Sequence, residues 1–164
     1  MKNNYSNIFT FNRKILSKTI KFLNNGNIAG LPTETVYGLG GNAYRESSIK
    51  KVFKLKGRSK SNPLIIHYHA LSEAAKDVEI NKYFLKLYVK FCPGPITFIL
   101  NKRRNSKIHT LASAKLKTVA IRFPKHKIIR SILKKINYPL AMPSANKSNH
   151  VSPVRALDVY DEFE

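Results

Sequence analysis

The sequence predicts an α/β protein whose helices surround a single sheet. Short apolar runs typical of strands alternate along the 164 residues with longer segments whose apolar side chains recur at helical spacing. The hydrophobic content of 43% suits a globular protein, and the length suffices for one domain with a core, which we assign to residues 1–164. No internal repeat or long linker divides the chain.

The N-terminal half is expected to contain two helices and two strands. Apolar residues recur every three or four positions over residues 13–24, and an Asn-Gly pair follows as an end signal. Residues 27–32 then form a short buried strand. The helical pattern returns over residues 47–57, with lysines on the outer face and Gly57 at its end. A strand over residues 63–69 begins at a proline.

The C-terminal half continues the alternation. Apolar residues at helical spacing predict helices over residues 81–92 and 126–136, of which the second is strongly amphipathic. Compact apolar runs predict strands over residues 96–100, 118–123 and 139–142. The first of these three strands follows a Pro-Gly-Pro turn.

Two segments fall outside this pattern. Residues 101–117 are basic and irregular, and we expect them to form an excursion on the surface. Near the end of the chain, Ser152 and Pro153 suit the N-cap and the first position of a helix. A final helix is therefore predicted to begin there.

The chain is strongly basic. Thirty Lys and Arg face nine Asp and Glu, which gives a net charge of +21. Four of the nine acids lie in the last seven residues, so residues 1–157 carry 30 basic and 5 acidic groups, or +25. This field favours polyanions such as RNA or nucleotide phosphates. Enrichment in Lys, Asn and Ile is also what AT-rich coding would produce, so the charge alone leaves both explanations open.

Several classes of protein and site are not supported. There is no apolar run of about 18 residues and no signal-peptide segment, which argues for a cytoplasmic protein without a membrane span. The single cysteine, Cys92, excludes an internal disulfide and is expected to be a small buried apolar residue. P-loop, dinucleotide-binding and HExxH motifs are absent. His67 and His69 would share one strand face, but without further ligands they do not predict a metal site.

The run GLPTETVYGLGG, residues 30–41, holds four of the chain's seven glycines around one acid and two threonines. Glycine lets backbone approach a ligand closely, and threonine offers a hydroxyl. One interpretation is a strand and a loop in which Thr33 or Thr35 caps the next helix. The other is a ligand-binding turn, and the run alone does not decide between them.

Other polar residues crowd predicted strand and helix ends. Lys56 and Arg58 could complement a helix dipole or clamp phosphates. Arg122 stands inside an apolar strand, where a cation is costly to bury unless it meets an anion. Ser144 and Asn146 follow a proline on a strand-terminal loop, where a hydroxyl and an amide can orient a ligand.

Taken together, five blocks resemble one family. PTETVYGLG, KGR…NPLIIH, PGPIT, TVAIRFPKH and PLAMPSAN, followed by SP at 152–153, look like the YrdC domain of the threonylcarbamoyl-AMP synthase family. The resemblance runs from about residue 10 to 160. The chain departs from the family at Ser59, where a proline is usual, and in KSNHVSPV, where a glycine and SPT are usual. It also lacks the Ser-Thr-Val and Arg-Pro-Gly segments that normally follow.

The resemblance implies a fold, a reaction and its participants. The fold would be a twisted, open, mixed α/β sheet with a basic concave cleft. The reaction would join L-threonine, bicarbonate or CO2 and ATP into threonylcarbamoyl-AMP with release of pyrophosphate, and Mg2+ would be carried mainly by the phosphates. A transferase complex would then modify adenosine 37 of tRNAs that read ANN codons.

The resemblance also assigns site residues. The residues that match threonine-binding positions are Thr35, His67, Arg122 and Met142, the last through its backbone. Those that match positions around ATP are Lys56, Arg58, Thr118, Ser144, Asn146 and Ser152, and the first two with Ser144 are the catalytic candidates. Glu34 would organise its loop or a metal. No protein metal ligand and no covalent nucleophile are assigned.

The departures from the family leave alternatives to an active synthase. One is a catalytically impaired, YrdC-like RNA-binding protein, which the basic charge would favour. Another is a remnant of a truncated enzyme.

Overall fold

The computed structural model describes residues 6–164 and contains one six-stranded mixed sheet in the order β1-β2-β6-β3-β5-β4. Strands β3 and β5 are parallel, and the other neighbouring pairs are antiparallel. The predicted α/β class and open mixed sheet are therefore confirmed. The elements are α1 Arg13–Asn24, β1 Ala29–Pro32, β2 Tyr37–Asn42, α2 Glu46–Lys56, β3 Ile65–His67, α3 Leu71–Ala74, α4 Lys82–Phe91, β4 Thr97–Asn101, β5 Thr118–Arg122, α5 Lys127–Leu133, β6 Leu140–Ala141 and α6 Ala156–Phe163.

Helix ends follow the local chemistry of the sequence. The side chain of Asn12 accepts a hydrogen bond from the Ile15 backbone N–H, at 2.9 Å, and so caps the start of α1. Gly57 ends α2 in the left-handed conformation, with φ of 59°. This turn releases the chain toward β3 and places Arg58 immediately beyond the helix.

Hydrophobic residues cover the two faces of the sheet in separate clusters. Ile66 and Ile121 are register partners on β3 and β5, and both are buried in the larger cluster together with Val52 of α2 and Phe84 of α4. Leu140 of β6 points the other way and belongs to the smaller cluster. The α1 and α5 residues of that cluster are Leu23, Ile129, Ile132 and Leu133.

Part of the second face is open. On edge strand β4, Ile99 has 73% of its surface exposed, whereas its neighbours Phe98 and Leu100 are buried in the larger cluster. Residue Ile99 pairs with Ala120, and Arg122 lies two positions farther along β5 on the same face. Within residues 6–164, α1 and α5 pack together near the β1 side of the sheet. Arg122 therefore lies on the same face of the sheet as the exposed Ile99.

Three predicted features are wrong in detail. The last helix begins at Ala156, not at Ser152-Pro153, because the Pro153 carbonyl accepts a hydrogen bond from Tyr37, 2.8 Å away, and the backbone N–H of Arg155 donates to Asp158. The strand predicted over 63–69 is shorter, so His69 lies beyond it. Cys92 is half-buried rather than fully buried.

The segment 101–117 lies largely at the surface, as predicted, and is anchored to the core through Asp77. Asp77, 1% exposed, accepts hydrogen bonds from the hydroxyls of Tyr44, Tyr68 and Ser106 at 2.6, 2.9 and 2.9 Å, and from the Lys107 backbone N–H at 2.9 Å. Burial, together with the nearby carboxylate of Asp77, raises the pKa of both tyrosines. One buried carboxylate thus ties the irregular segment to the core.

None of the helices in the described part of the chain is both long and apolar enough to cross a membrane.

Candidate functional site

The loop between β1 and β2 is ordered by its threonines. The Thr33 hydroxyl accepts from the backbone N–H groups of Thr35 and Val36, both at 3.2 Å, and donates to the Val36 carbonyl at 2.6 Å. Since that donation uses its one proton, the 3.0 Å bond between the two threonine hydroxyls is donated by Thr35. The loop leads into a strand, so the alternative in which Thr33 or Thr35 caps a helix is wrong.

Arg122 meets its anion inside the protein. Its Nη2 donates to Glu34 Oε1 at 2.8 Å and to the Thr35 hydroxyl at 3.1 Å. The other carboxylate oxygen of Glu34 accepts from the backbone N–H groups of Lys125 and His126, at 3.0 and 3.2 Å. Burial would raise the pKa of Glu34, but the bond from Arg122 and these N–H groups outweigh it, and the pKa lies below its ordinary value.

His67 lies beside Arg122 as its register partner on β3. It is 2% exposed, and its Nδ1 is 3.2 Å from the Ile65 carbonyl. Burial, with the nearby charge of Arg122, lowers the pKa of His67 to about 4. The imidazole is therefore neutral near pH 7, and because the Ile65 carbonyl can only accept, Nδ1 carries the single proton and Nε2 is an acceptor.

A second group of predicted residues meets at the end of α2. Lys56, 2% exposed, donates from Nζ to the Ser144 carbonyl at 2.6 Å and to the Asn146 carbonyl. Its own carbonyl accepts from the Ser148 N–H at 2.8 Å. Burial and the charge of Arg58 lower the pKa of Lys56 to about 8. The lysine thereby fixes the loop after β6 with two of the three N–H groups of its ammonium.

Strand β2 connects the two groups. The Ala145 N–H donates to the Tyr37 carbonyl at 2.8 Å, the Leu39 N–H donates to the Pro143 carbonyl at 2.9 Å, and Gly38 forms a bridge with Ser144. The loop that contains Ser144 is therefore fastened to the strand that begins two residues after Thr35. A side chain on Gly38 would meet Met142, its Cβ lying 2.5 Å from the methionine Cγ, so glycine permits this close approach.

Three of the predicted residues stand apart from these contacts. Arg58 binds its own loop through the carbonyls of Asn62 and Pro63, at 3.1 and 2.9 Å, and burial lowers its pKa. Thr118 lies at the opposite end of β5 from Arg122, about 13 Å away along the strand. Ser152 is half-buried in the loop before α6.

The buried polar atoms without partners concentrate at this site. Within the described residues, the buried side-chain nitrogen and oxygen atoms that lack a hydrogen-bond partner are Arg122 Nε, Asn146 Oδ1 and Ser148 Oγ. Such atoms are rare in native proteins and need an explanation. Here Arg122 Nε belongs to the Arg122 group, and Asn146 Oδ1 and Ser148 Oγ belong to the Lys56 group.

No protein metal cage is evident in residues 6–164, where no three His, Cys, Asp or Glu side chains are placed to hold an ion. His69 instead lies 3.4 Å from a guanidinium nitrogen of Arg130. Burial and that charge lower the pKa of His69.

A cavity of about 930 Å³ lies elsewhere, between the N-terminal segment, α1, β1 and α6. Its lining is mainly apolar and includes Phe9, Phe22 and Val159 but none of the predicted site residues. We place the candidate site at the charged groups instead, because binding of small polar molecules needs convergent polar donors.

Sequence reasoning named Glu34 but not its partner, and it did not single out Ser148. Glu34 was expected to organise its loop or a metal, but its pairing with Arg122 was not foreseen, although an acid in a glycine-rich loop and a cation in an apolar strand were the available signals. Ser148 gave no such signal.

Comparison with known proteins gives a consistent picture. A family model described as Sua5/YciO/YrdC, telomere recombination, matches residues 21–164. A threonylcarbamoyl-AMP synthase of Pyrococcus abyssi is 40% identical over 145 residues, which cover 87% of this chain and 42% of that protein. One of Bacillus subtilis is 34% identical over 153 residues, covering 91% and 43%.

The fold has a solved counterpart. The crystal structure of P. abyssi Sua5 complexed with L-threonine is similar with a TM-score of 0.89 and 35% identity, over 94% of this chain and 45% of that one. The chain thus spans less than half the length of these relatives.

Proposed function

Because the chain belongs to the Sua5/YciO/YrdC family, as its five sequence blocks predicted, we propose that it synthesises threonylcarbamoyl-AMP from L-threonine, bicarbonate or CO2 and ATP. The observation that carries the proposal is the gathering of unpartnered buried polar atoms at the two groups of predicted residues. The similarity to a protein solved with L-threonine supports the choice of amino acid.

Threonine is assigned to the Arg122 group. The guanidinium would receive the carboxylate, and Nε2 of the neutral His67 and the Thr35 hydroxyl oxygen would accept hydrogen bonds from the substrate's own N–H or O–H groups. The backbone of Met142 is assigned here too, and its N–H already donates to the Ile65 carbonyl at 2.9 Å, so only its carbonyl is offered to the ligand. A carboxylate held at a fixed place would bring the amino group, once carboxylated, beside the phosphorus and lower the entropic barrier.

ATP is assigned to the Lys56 group. Lys56, Arg58 and the Ser144 hydroxyl would stabilise the charge that develops when the carbamate attacks the α-phosphate and pyrophosphate leaves. Asn146 Oδ1 is an acceptor without a partner, and Thr118 and Ser152 would lie at the outer parts of the nucleotide. Magnesium would help to neutralise the phosphates, which themselves carry it, and no protein ligand is assigned.

The product's use is also proposed. A transferase complex would move the threonylcarbamoyl group to adenosine 37 of tRNAs that read ANN codons, and both steps would take place in the cytoplasm. The assignment of residues 1–164 to one domain with a basic concave cleft stays a prediction.

Binding of RNA without synthesis is a second candidate, which the net charge of +21 favours. Purified chain would be tested for pyrophosphate release from ATP and magnesium, with and without L-threonine and bicarbonate. Release that requires both supports the synthase. A chain that melts cooperatively but releases none contradicts it, and tRNA binding that weakens steeply with salt would then favour the second candidate.

The pKa of Lys56 predicts a pH dependence. At pH 7 most of its amine is charged, and above the pKa of about 8 it becomes neutral. We expect ATP affinity to fall about tenfold between pH 7 and 9 as a charge-assisted contact is lost. Calorimetric titration of ATP at several pH values measures this. In Lys56→Arg, which stays protonated, the step near pH 8 should disappear, and a flat wild-type profile would contradict the assignment.

A further inference from the structure

We propose that Glu34 is a positioning residue of the threonine site, which keeps its bond to Arg122 while substrate is bound. This inference rests on the proposed function. It assigns a role to a carboxylate that takes no part in the reaction itself. The starting observation is that one oxygen of Glu34 accepts a hydrogen bond from Arg122 and the other accepts one from the backbone just after β5.

The Glu34 carboxylate is bound too firmly for the substrate carboxylate to displace it from Arg122. Its Oε2 accepts two backbone N–H groups, from Lys125 and His126, and its Oε1 accepts from Arg122. Displacing it would break three hydrogen bonds to an ionised acceptor, which are among the stronger ones in proteins. The loop on which it stands is further fixed by the Thr33 hydroxyl.

Retention of Glu34 determines which donors of Arg122 remain. A guanidinium grips a carboxylate with two N–H groups either along the Nε/Nη2 edge or along the Nη1/Nη2 edge. Both edges need Nη2, whose two protons already go to Glu34 and Thr35. The substrate carboxylate is therefore left with single contacts to Nη1 or to Nε, and Nε is buried without a partner.

The pair also sets the charge of the pocket. The side chains of Arg122 and Glu34 are only 12% and 16% exposed, and their charges cancel. A pair with no net charge favours binding of a zwitterionic amino acid over binding of a simple anion, because it does not attract a ligand by negative charge alone. Glu34 thus orients Arg122 and offsets its positive charge, and it does not contact the reacting atoms.

The test is Glu34→Gln, which keeps the size of the side chain and removes its charge. In pyrophosphate-release kinetics we expect the KM for L-threonine to rise tenfold or more while the KM for ATP stays within twofold. Glu46→Gln is the matched control, since Glu46 is an exposed acid paired with Lys50 across one helical turn, and both KM values should be unchanged. Calorimetric titration with L-threonine gives the binding step separately.

The outcomes separate this inference from the proposed function. An active wild type whose Glu34→Gln variant keeps the KM for threonine overturns the inference alone. A rise in both KM values together with a large drop in melting temperature also overturns it, since that is the pattern of a general structural role. A wild type that neither binds threonine nor releases pyrophosphate overturns the proposed function and the inference with it.

Discussion

Replacing Arg122 with methionine is expected to reduce threonine-dependent pyrophosphate release about 100-fold or more. The substitution keeps an apolar stem on β5 but removes the guanidinium that would hold the substrate carboxylate. It also leaves Glu34, 16% exposed, without its counter-charge. Loss of one partner of such a pair costs about 2–5 kcal/mol in measured cases, so both the rate and the melting temperature should fall. Steady-state kinetics and thermal melts measure the two effects.

The double variant Arg122→Met/Glu34→Gln separates activity from stability. Removing both charges avoids an unpaired carboxylate, so much of the stability lost in the single variant should return. Activity should not return, because no cation remains for the substrate. If the double variant regains both, the loss in Arg122→Met is one of folding, and Arg122 has no direct role in binding threonine.

Local signals predicted most helices and strands correctly. Residues 13–24 carry helical periodicity and an Asn-Gly end signal, and the observed α1 has the same bounds. Strand prediction failed where a strand is stabilised by pairing with distant strands and not by its own sequence. Residues Tyr37–Asn42 contain three glycines and no β-branched residue, yet they form β2, because β1 lies on one side and β6 on the other.

The sequence predicted which kinds of residue form the candidate site, but not which of them contact one another. A lone cation in an apolar strand predicts an anion near Arg122, and this is confirmed, but its partner Glu34 lies 88 residues away in sequence. The helix start at Ser152 was wrong for a related reason. The carbonyl of Pro153 accepts a hydrogen bond from the distant Tyr37 N–H and not from a first turn of helix. Local capping preferences cannot predict such a contact.

Asp77 also makes contacts between residues far apart in sequence, and its replacement is the second substitution for which we expect a large effect. Asp77→Ala should destabilise the protein by about 3–5 kcal/mol, because three hydroxyls and one backbone N–H lose their acceptor. The Tyr68 hydroxyl is then left in a fully buried position. At about 2–4 °C per kcal/mol, the melting temperature should fall by roughly 6–20 °C, measurable by circular dichroism.

Two controls test whether the buried carboxylate itself is responsible. Tyr44→Phe removes one of the four hydrogen bonds and should cost about 1 kcal/mol. Asp161→Ala makes the same chemical change at an exposed position of α6 and should leave the melting temperature nearly unchanged. If Asp77→Ala melts within a degree or two of Asp161→Ala, then residues 101–117 are held by the apolar burial of Ile108 and Ala112 instead, and Asp77 is not their anchor.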